Sequence, residues 1–437
     1  MDSLILSPVH KVGGEIQLPG SKSLSNRALL LAALSPTKTE LSNLLRSEDT
    51  ERMVDALTQL GVSITLSEDW HSCSVRGNNG LFSAPNDSSF FLGNAGTAIR
   101  PLTSMLALMR GNFTVDGDQY MRERPIKHLV DALHELGAKI TYLGAEGCPP
   151  IKVTGGYIKG GKVSVRGDIS SQYLTSLLLA LPLAANDSEI NVIGEQVSKP
   201  YLDLTLDIME KFGVKASHHN YQQFLVPGGQ AYASPGTYLI EGDASSASYF
   251  FAAAAIKGGT IRVNGIGEKS VQGDIEFLDV IEKMGARVTR SENWVEVSQH
   301  ELNGIDMDLN HIPDAAMTIA SMALFAKGQT RIRNIYNWRV KETDRMFAMA
   351  TELRKLGATV ATGDDYIVID PPEEIQSCSI DTYGDHRIAM AFSLASLSKA
   401  NITINNPKVT AKTFPDYFDV FASICQYQDQ QNEEQKI

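Results

Sequence analysis

The sequence predicts an α/β protein built from six copies of one unit, three in each of two domains. Three observations carry this. A helical phrase ending in Leu-Gly or its equivalent occurs five times, as ERMVDALTQLG, HLVDALHELG, LDIMEKFG, LDVIEKMG and AMATELRKLG, closing at Gly61, Gly137, Gly213, Gly285 and Gly357. These glycines are 76, 76, 72 and 72 residues apart, and self-similarity at a fixed period marks a repeat architecture. A second helix type, rich in small and apolar residues, recurs six times at the same period, and strand-like segments separate the two. A chain of 437 residues is also too long for one ordinary core.

The elements follow in order. Leu4 to Leu18 reads as an opening strand that pairs with the second domain. The small-residue helices are NRALLLAALS, TAIRPLTSMLALM, QYLTSLLLALPLA, SASYFFAAAAI, AAMTIASMALFA and RIAMAFSLASLS. Apolar residues on nearly every face mark helices buried on most sides. They lead through polar turns to strands such as NFTVDG, SEINVIG, TIRVNGI, TRIRNI and NITINN. The Leu-Gly helices carry apolar residues eight, four and one positions before the glycine, for example Met53, Leu57 and Leu60, or Phe277, Ile281 and Met284. That spacing is one helical face, and the glycine is a natural C-terminal cap. VSITL, AKITYL, VKASHH, ARVTRS and ATVATG then read as strands. The last unit lacks a clear Leu-Gly helix. The expected division is 21–240 for the first domain and 1–20 plus 241–427 for the second, with a two-stranded crossing near Gly20 and Glu241 as a hinge and a polar tail at 428–437.

Composition excludes some functions. A hydrophobic content of 43% with 21% charged residues describes a soluble globular protein. The net charge of −12 argues against a nucleic-acid partner. Cys73, Cys148, Cys378 and Cys425 lie far apart without metal-ligand spacing and read as reduced thiols of a cytoplasmic protein. The N-terminus does not read as a secretory signal. The longest apolar run, Tyr173 to Ala185, is too short for a membrane span.

The chemistry concentrates where units open. The first small-residue helix begins Leu18-Pro-Gly-Ser-Lys-Ser-Leu-Ser-Asn-Arg27, where free N–H groups and the helix dipole favour an anion beside Lys22 and Arg27. The second begins Leu92-Gly-Asn-Ala-Gly-Thr-Ala-Ile-Arg100, and Gly96 leaves bare backbone for a ligand. Arg122 and Arg124 flank a glutamate before Pro125, where an arginine could clamp a carboxylate or phosphate. Ser170, Ser171 and Gln172 open the third. The fourth, Gly242-Asp-Ala-Ser-Ser246, has no cation and reads as mainly structural. Asp314 precedes the fifth and suits either a cap or a general base. Lys341, Glu342 and Arg345 open the last Leu-Gly helix, and Asp385, His386 and Arg387 open the sixth small-residue helix. Each motif alone also suits a capped helix or a solvated charged turn. Together Lys22, Arg27, Arg100, Arg124, Lys341, Arg345, Arg387 and Lys412 put eight cations near unit openings of an acidic protein, which points to a small polyanionic ligand.

LPGSKSLSNRALLLAAL, LGNAGTAIRPL, RERPIKHLVDAL, DISSQYLTSLLLALPL, PDAAMT, NWRVKETDRM, GDHRIAM and KTFPDYF, in this order over nearly the whole chain, resemble the 5-enolpyruvylshikimate-3-phosphate synthase family. The resemblance implies an inside-out α/β barrel of six βαβαββ units, three per domain, with its site in the interdomain cleft. It implies enolpyruvyl transfer from phosphoenolpyruvate to the 5-hydroxyl of shikimate 3-phosphate through a tetrahedral intermediate, with no cofactor and no metal, in a monomer. Carried over residue by residue, Lys22, Ser23, Arg27, Ser170, Ser171, Gln172, Ser198, Tyr201, Asp314, Asn337 and Lys341 would hold shikimate 3-phosphate. Lys22, Gly96, Arg124, Gln172, Arg345, Arg387 and Lys412 would hold phosphoenolpyruvate, with Asn94 and His386 in support. Asp314 would take the hydroxyl proton, and Glu342 with Lys22 would protonate the methylene carbon. Gly96, Thr97 and Pro101 match family members inhibited by glyphosate.

Two other readings share the repeat unit. The sister transferase acting on UDP-N-acetylglucosamine carries Lys-Asn at the first motif and a reactive cysteine before the second Leu-Gly helix; here Lys22-Ser23 stands, and 118–124 holds no cysteine. A non-catalytic RNA-binding protein is disfavoured by the charge and by the lack of an aromatic-basic stripe.

Overall fold

The computed structural model describes residues 2–80, 82, 85 and 87–427, so the expected polar tail at 428–437 lies outside the described residues. The chain divides into two compact units, Pro19–Glu241 and the segment up to Leu18 together with the chain from Gly242 onward.

In the unit Pro19–Glu241, α1 (Lys22–Leu34), α3 (Gly96–Leu108) and α5 (Ser171–Ala180) are the small-residue helices, and nearly all their residues are buried. The Leu-Gly helices are α2 (Glu48–Gln59), α4 (Lys127–Glu135) and α6 (Pro200–Lys211), each burying one face. Three four-stranded sheets complete the unit. One runs 88–91, 111–116, 151–155, 139–142, its first pair parallel and joined through α3, the rest antiparallel. The sheet around α5 repeats this order. In the sheet after α1, the strand parallel to Lys38–Ser42 is Thr237–Leu239, from the far end of the unit.

The other unit repeats the plan. Its helices are α7 (Ala244–Lys257), α8 (Phe277–Met284), α9 (Ala316–Met322), α10 (Arg345–Lys355), α11 (His386–Ser393) and α12 (Tyr417–Ser423). The place beside Thr260–Asn264 that a strand before α7 would fill is taken by Gly14–Gln17. Thus the strand before α1 and the strand before α7 are exchanged between the units.

Three expectations need correction. The opening segment is three strands rather than one: Ser3–Leu6 pairs with Ile402–Asn405, Lys11–Val12 with Cys425–Gln426, and Gly14–Gln17 with Thr260–Asn264. Pro8 and the Gly13-Gly14 pair interrupt it, since proline lacks a ladder donor and Gly14 has φ +127°. Ser3–Leu6 also completes the sixth sheet, which has three strands. The sixth unit does carry a second helix, the short α12, anchored by buried Tyr417 and Phe421. Finally, α5, α9 and α11 each tighten into a 3₁₀ turn at their C-terminal ends, α5 at Pro182.

Gly61, Gly137, Gly213, Gly285 and Gly357 all have φ between +79° and +120°, the conformation in which glycine terminates a helix without Cβ strain. Gly20 matters for a different reason. A Cβ there would stand 1.9 Å from the Asn43 carbonyl oxygen and 3.1 Å from Ile240. Gly20→Ala is therefore expected to destabilise the unit Pro19–Glu241 by about 1–3 kcal/mol, the usual cost of overpacking, read as a lower denaturant midpoint.

Candidate functional site

Each unit gathers one set of charged groups at the N-terminal ends of its small-residue helices. In Pro19–Glu241, Lys22 is the first residue of α1, and its Nζ lies 3.6 Å from Oδ2 of Asp49, in the acidic first turn of α2. Arg27, one turn further along, is buried. Its Nε donates to Thr205 at 3.0 Å, one Nη to the Ser23 carbonyl at 3.0 Å and the other to Thr175 at 3.4 Å. Those partners tie α1 to α5 and α6 but carry no charge. Burial pulls the Arg27 pKa down to about 10, so it stays cationic at neutral pH. A buried cation met only by neutral acceptors is an anion site in waiting.

Gly96 opens α3. Arg124 donates from Nη1 to the Asn94 side chain at 2.7 Å and its carbonyl at 3.1 Å. Arg100 donates to Gln172 and, at 3.1 Å, to the Pro125 carbonyl. A Cβ on Gly96 would lie 2.6 Å from an Arg100 Nη, 3.0 Å from an Arg124 Nη and 3.1 Å from Gln172 Oε1. The bare glycine thus lets two guanidinium groups and an amide converge. Ser170 caps α5 by accepting from the Gln172 N–H, and Ser171 is buried in its first turn. Ser198 is buried with φ +52°, and its carbonyl accepts from the Tyr201 N–H at 3.1 Å. A left-handed serine is strained backbone, and such strain clusters at functional sites. Arg122 stays out of this set: it is exposed and donates to Asp116.

The other unit holds the denser cluster. Arg345 is fully buried, and three carboxylates share its guanidinium: Asp314 at 2.7 Å, Glu342 at 2.8 Å and Asp385 at 2.7 Å. Arg387 lies 3.0 Å from the second oxygen of Asp314, and Lys412 lies 3.6 Å from Glu342. Asp385 also accepts from the Arg387 N–H at the start of α11. Burial pushes the Asp314 pKa up, but Arg387, Lys341 and Arg345 outweigh it and hold the carboxyl well below its usual range. Lys341 is half-buried, and desolvation lowers its pKa. Asn337 is buried, and among the described residues neither side-chain amide atom is hydrogen-bonded, an unmet need that a ligand hydroxyl would satisfy. His386 is buried, with Nδ1 3.5 Å from Asp385.

A family model described as EPSP synthase (3-phosphoshikimate 1-carboxyvinyltransferase) matches residues 6–421. The chain is 58% identical over 427 residues to the 3-phosphoshikimate 1-carboxyvinyltransferase of Sulfurovum sp. (strain NBC37-1), covering 98% of this chain and all of that one. It is 60% identical over 426 residues to the Escherichia coli (strain K12 / DH10B) enzyme of that name, with the same coverage. The chain belongs to the EPSP synthase family. Its fold matches a 2.37 Å structure of EPSP synthase from Acinetobacter baumannii, with a TM-score of 0.83 at 25% identity over 97% of this chain and 98% of that one. The enolpyruvyl transferase NikO from Streptomyces tendae shares the fold alone, at 16% identity and a TM-score of 0.77, over 97% of each chain. The α/β architecture of repeated units is that of the EPSP synthase family.

The sequence-predicted residues fall into two groups. Lys22, Ser23, Arg27, Asn94, Gly96, Arg124, Ser170, Ser171, Gln172, Ser198 and Tyr201 belong to Pro19–Glu241; Asp314, Asn337, Lys341, Glu342, Arg345, His386, Arg387 and Lys412 belong to the other unit. Sequence reasoning missed three supports. Asp49 pairs with Lys22. Trp338 is fully buried and donates from Nε1 to the Pro313 carbonyl at 2.7 Å, fixing the turn that carries Asp314. Asp385, read as a cap, is also an anchor of Arg345. A tryptophan three residues before the Lys341, Glu342 and Arg345 set was the available signal for the second. Among the described residues, no group of three or more His, Cys, Asp or Glu could hold a metal ion, and no helix is long and apolar enough to cross a membrane.

Proposed function

We propose that this EPSP synthase family member moves the enolpyruvyl group of phosphoenolpyruvate onto the 5-hydroxyl of shikimate 3-phosphate through the residues named above. The carrying observation is Arg345, a buried guanidinium held by three carboxylates beside Arg387, Lys341 and Lys412. Such a cluster can exchange internal carboxylates for the carboxylate and phosphate of a small polyanion. Asp314 and Glu342 are then released for proton transfer.

In the addition step, the 5-oxygen bonds to C2 of phosphoenolpyruvate while its proton passes to Asp314. The methylene C3 receives a proton from Glu342, with Lys22 as its partner. In the elimination step, the C2–O bond to phosphate breaks, C3 gives back a proton, and phosphate departs against Lys22, Arg124 and Lys412. Fixed cations there meet charge as it develops on the leaving oxygen. Lys22, Ser23, Arg27, Ser170, Ser171, Gln172, Ser198, Tyr201, Asp314, Asn337 and Lys341 hold shikimate 3-phosphate; Lys22, Gly96, Arg124, Gln172, Arg345, Arg387 and Lys412 hold phosphoenolpyruvate; Asn94 and His386 orient their neighbours. We assign the enzyme to the cytoplasm as a monomer acting without cofactor.

Glyphosate, which competes with phosphoenolpyruvate, provides one test. Gly96→Ala places a methyl among Arg100, Arg124 and Gln172 at 2.6–3.1 Å. The expected outcome is glyphosate inhibition weakened by at least about tenfold, equivalent to 1.4 kcal/mol, with a smaller rise in KM for phosphoenolpyruvate. Unchanged inhibition would remove Gly96 from the site. The reaction itself is tested by assaying phosphate release with each acceptor, shikimate 3-phosphate and UDP-N-acetylglucosamine.

A further inference from the structure

The fourth unit was read from sequence as structural, and it supplies none of the residues assigned so far. Its geometry says otherwise. Asp274 lies just before α8, in a 3₁₀ turn (Gly273–Glu276), and is 4% exposed. One of its carboxyl oxygens accepts from the Ser245 hydroxyl in the first turn of α7. The other, Oδ1, is buried with no hydrogen-bond partner among the described residues. Gln272 braces the same junction, donating to the Gly242 carbonyl at 2.8 Å and accepting from the Ala244 N–H at 3.2 Å.

This arrangement repeats that of the first unit. There Asp49, in the first turn of α2, faces Lys22 at the start of α1. Asp274 holds the corresponding place before α8, but Ala244 stands where the lysine stood, and the contact is made one residue further along, by Ser245. The charged groups that Asp274 feels are Asp243, which caps α7, Asp314 before α9 and Arg387 on α11. Tyr249, on α7, accepts from Arg387 at 3.4 Å. Among the candidate-site groups of this unit, Lys341, Arg345, Arg387 and Lys412 are four cations against the three carboxylates Asp314, Glu342 and Asp385. An ionised Asp274 adds one negative charge beside that set, and a protonated one withholds it.

We propose that Asp274 is a positioning residue for Arg387 and Asp314, whose charge opposes phosphoenolpyruvate for the same cations. This deepens the proposed function and rests on it. Burial, and then the neighbouring Asp314, push the Asp274 carboxyl up to about 7 against the pull of Arg387. Below that pH it is neutral, and the cluster is open to an anion. Above it, its negative charge attracts Arg387 through space and repels the incoming substrate. A bound anion that neutralises Arg387 removes a cation that favours ionised Asp274, so binding draws a proton onto it.

The test is Asp274→Asn, which keeps the shape and an acceptor for Ser245, compared with the wild-type enzyme by KM for phosphoenolpyruvate from pH 6 to 8.5 at saturating shikimate 3-phosphate. Ionisation of the substrate itself cancels in the ratio. The variant-to-wild-type KM ratio is expected near one at pH 6 and below about one-third at pH 8.5, the scale of one screened charge in a partly buried site. Ser245→Ala removes the hydrogen bond that favours the ionised form, so the wild-type rise in KM moves to higher pH. A ratio independent of pH overturns the proposal. Should Asp274→Asn fail to fold, carboxyl NMR of the wild-type protein decides. Asp274 titrating near neutrality and moving upward with inorganic phosphate supports it, whereas an ordinary carboxylate titration overturns it. That readout needs no turnover, so an inactive wild-type protein would sink the transferase reading while this one is still judged.

Discussion

Asp314→Asn is expected to lower kcat by about 10²–10⁴, the range for losing a positioned general base, without raising KM for phosphoenolpyruvate. The split follows from what Asp314 touches. Its two oxygens hold Arg345 at 2.7 Å and Arg387 at 3.0 Å, both assigned to phosphoenolpyruvate. Removing its charge takes away the proposed acceptor for the hydroxyl proton and also leaves two guanidinium groups freer to meet an anion. Folding should survive, because Arg345 keeps Asp385 and Glu342. The same geometry makes the base conditional. Surrounded by cations, Asp314 is held well below the usual carboxylate range and is a weak base in the free protein. Once phosphoenolpyruvate engages Arg345 and Arg387, that stabilisation weakens and its proton affinity rises. A depressed folded pKa contributes stability that is present above the unfolded value near 3.8 and is lost as pH falls below it. The substitution should therefore matter little to stability differences between pH 5 and 8. Steady-state kinetics with unchanged kcat would remove Asp314 from the base role.

Arg345→Ala carries the largest expected cost to the fold. It strips one buried guanidinium from three carboxylates, Asp314, Glu342 and Asp385. Breaking a buried ion cluster by removing one partner costs about 3–5 kcal/mol, which in a domain of this size lowers Tm on the order of 10 °C. Arg345→Lys should recover part of that stability but not binding, since an ammonium cannot bridge three carboxylates through a planar fork. Calorimetry gives the first quantity and KM for phosphoenolpyruvate the second, with a rise of at least about tenfold expected for both variants. A Tm within about 2 °C of wild type for Arg345→Ala would show that the carboxylates are satisfied elsewhere.

The repeat made much of the fold legible. Leu-Gly phrases at a constant period announced helices that end on positive-φ glycines, and runs such as SASYFFAAAAI announced helices buried all round. Cations were legible because they sit at fixed offsets from helix starts, as Lys22, Arg345 and Arg387 do. The opening segment was expected to pair with the second domain, and it does; what the sequence hid was which strand pairs with which. Gly14–Gln17 and Thr237–Leu239 are strands by composition, but nothing local says that each lies beside the strand following the other's helix. Carboxylates at helix starts were ambiguous for the same reason. Asp49, Asp274 and Asp385 all suit caps, yet one faces Lys22, one takes Ser245 and one grips Arg345. Long-range partners decide between these roles, and they become visible only once the chain is folded.

The proposed reaction draws on residues of both units. Phosphate release from phosphoenolpyruvate tests it most directly. Release should require shikimate 3-phosphate and be lost in both Lys22→Ala, from one unit, and Asp314→Asn, from the other. Release with UDP-N-acetylglucosamine instead, or release that survives either substitution undiminished, would contradict the account.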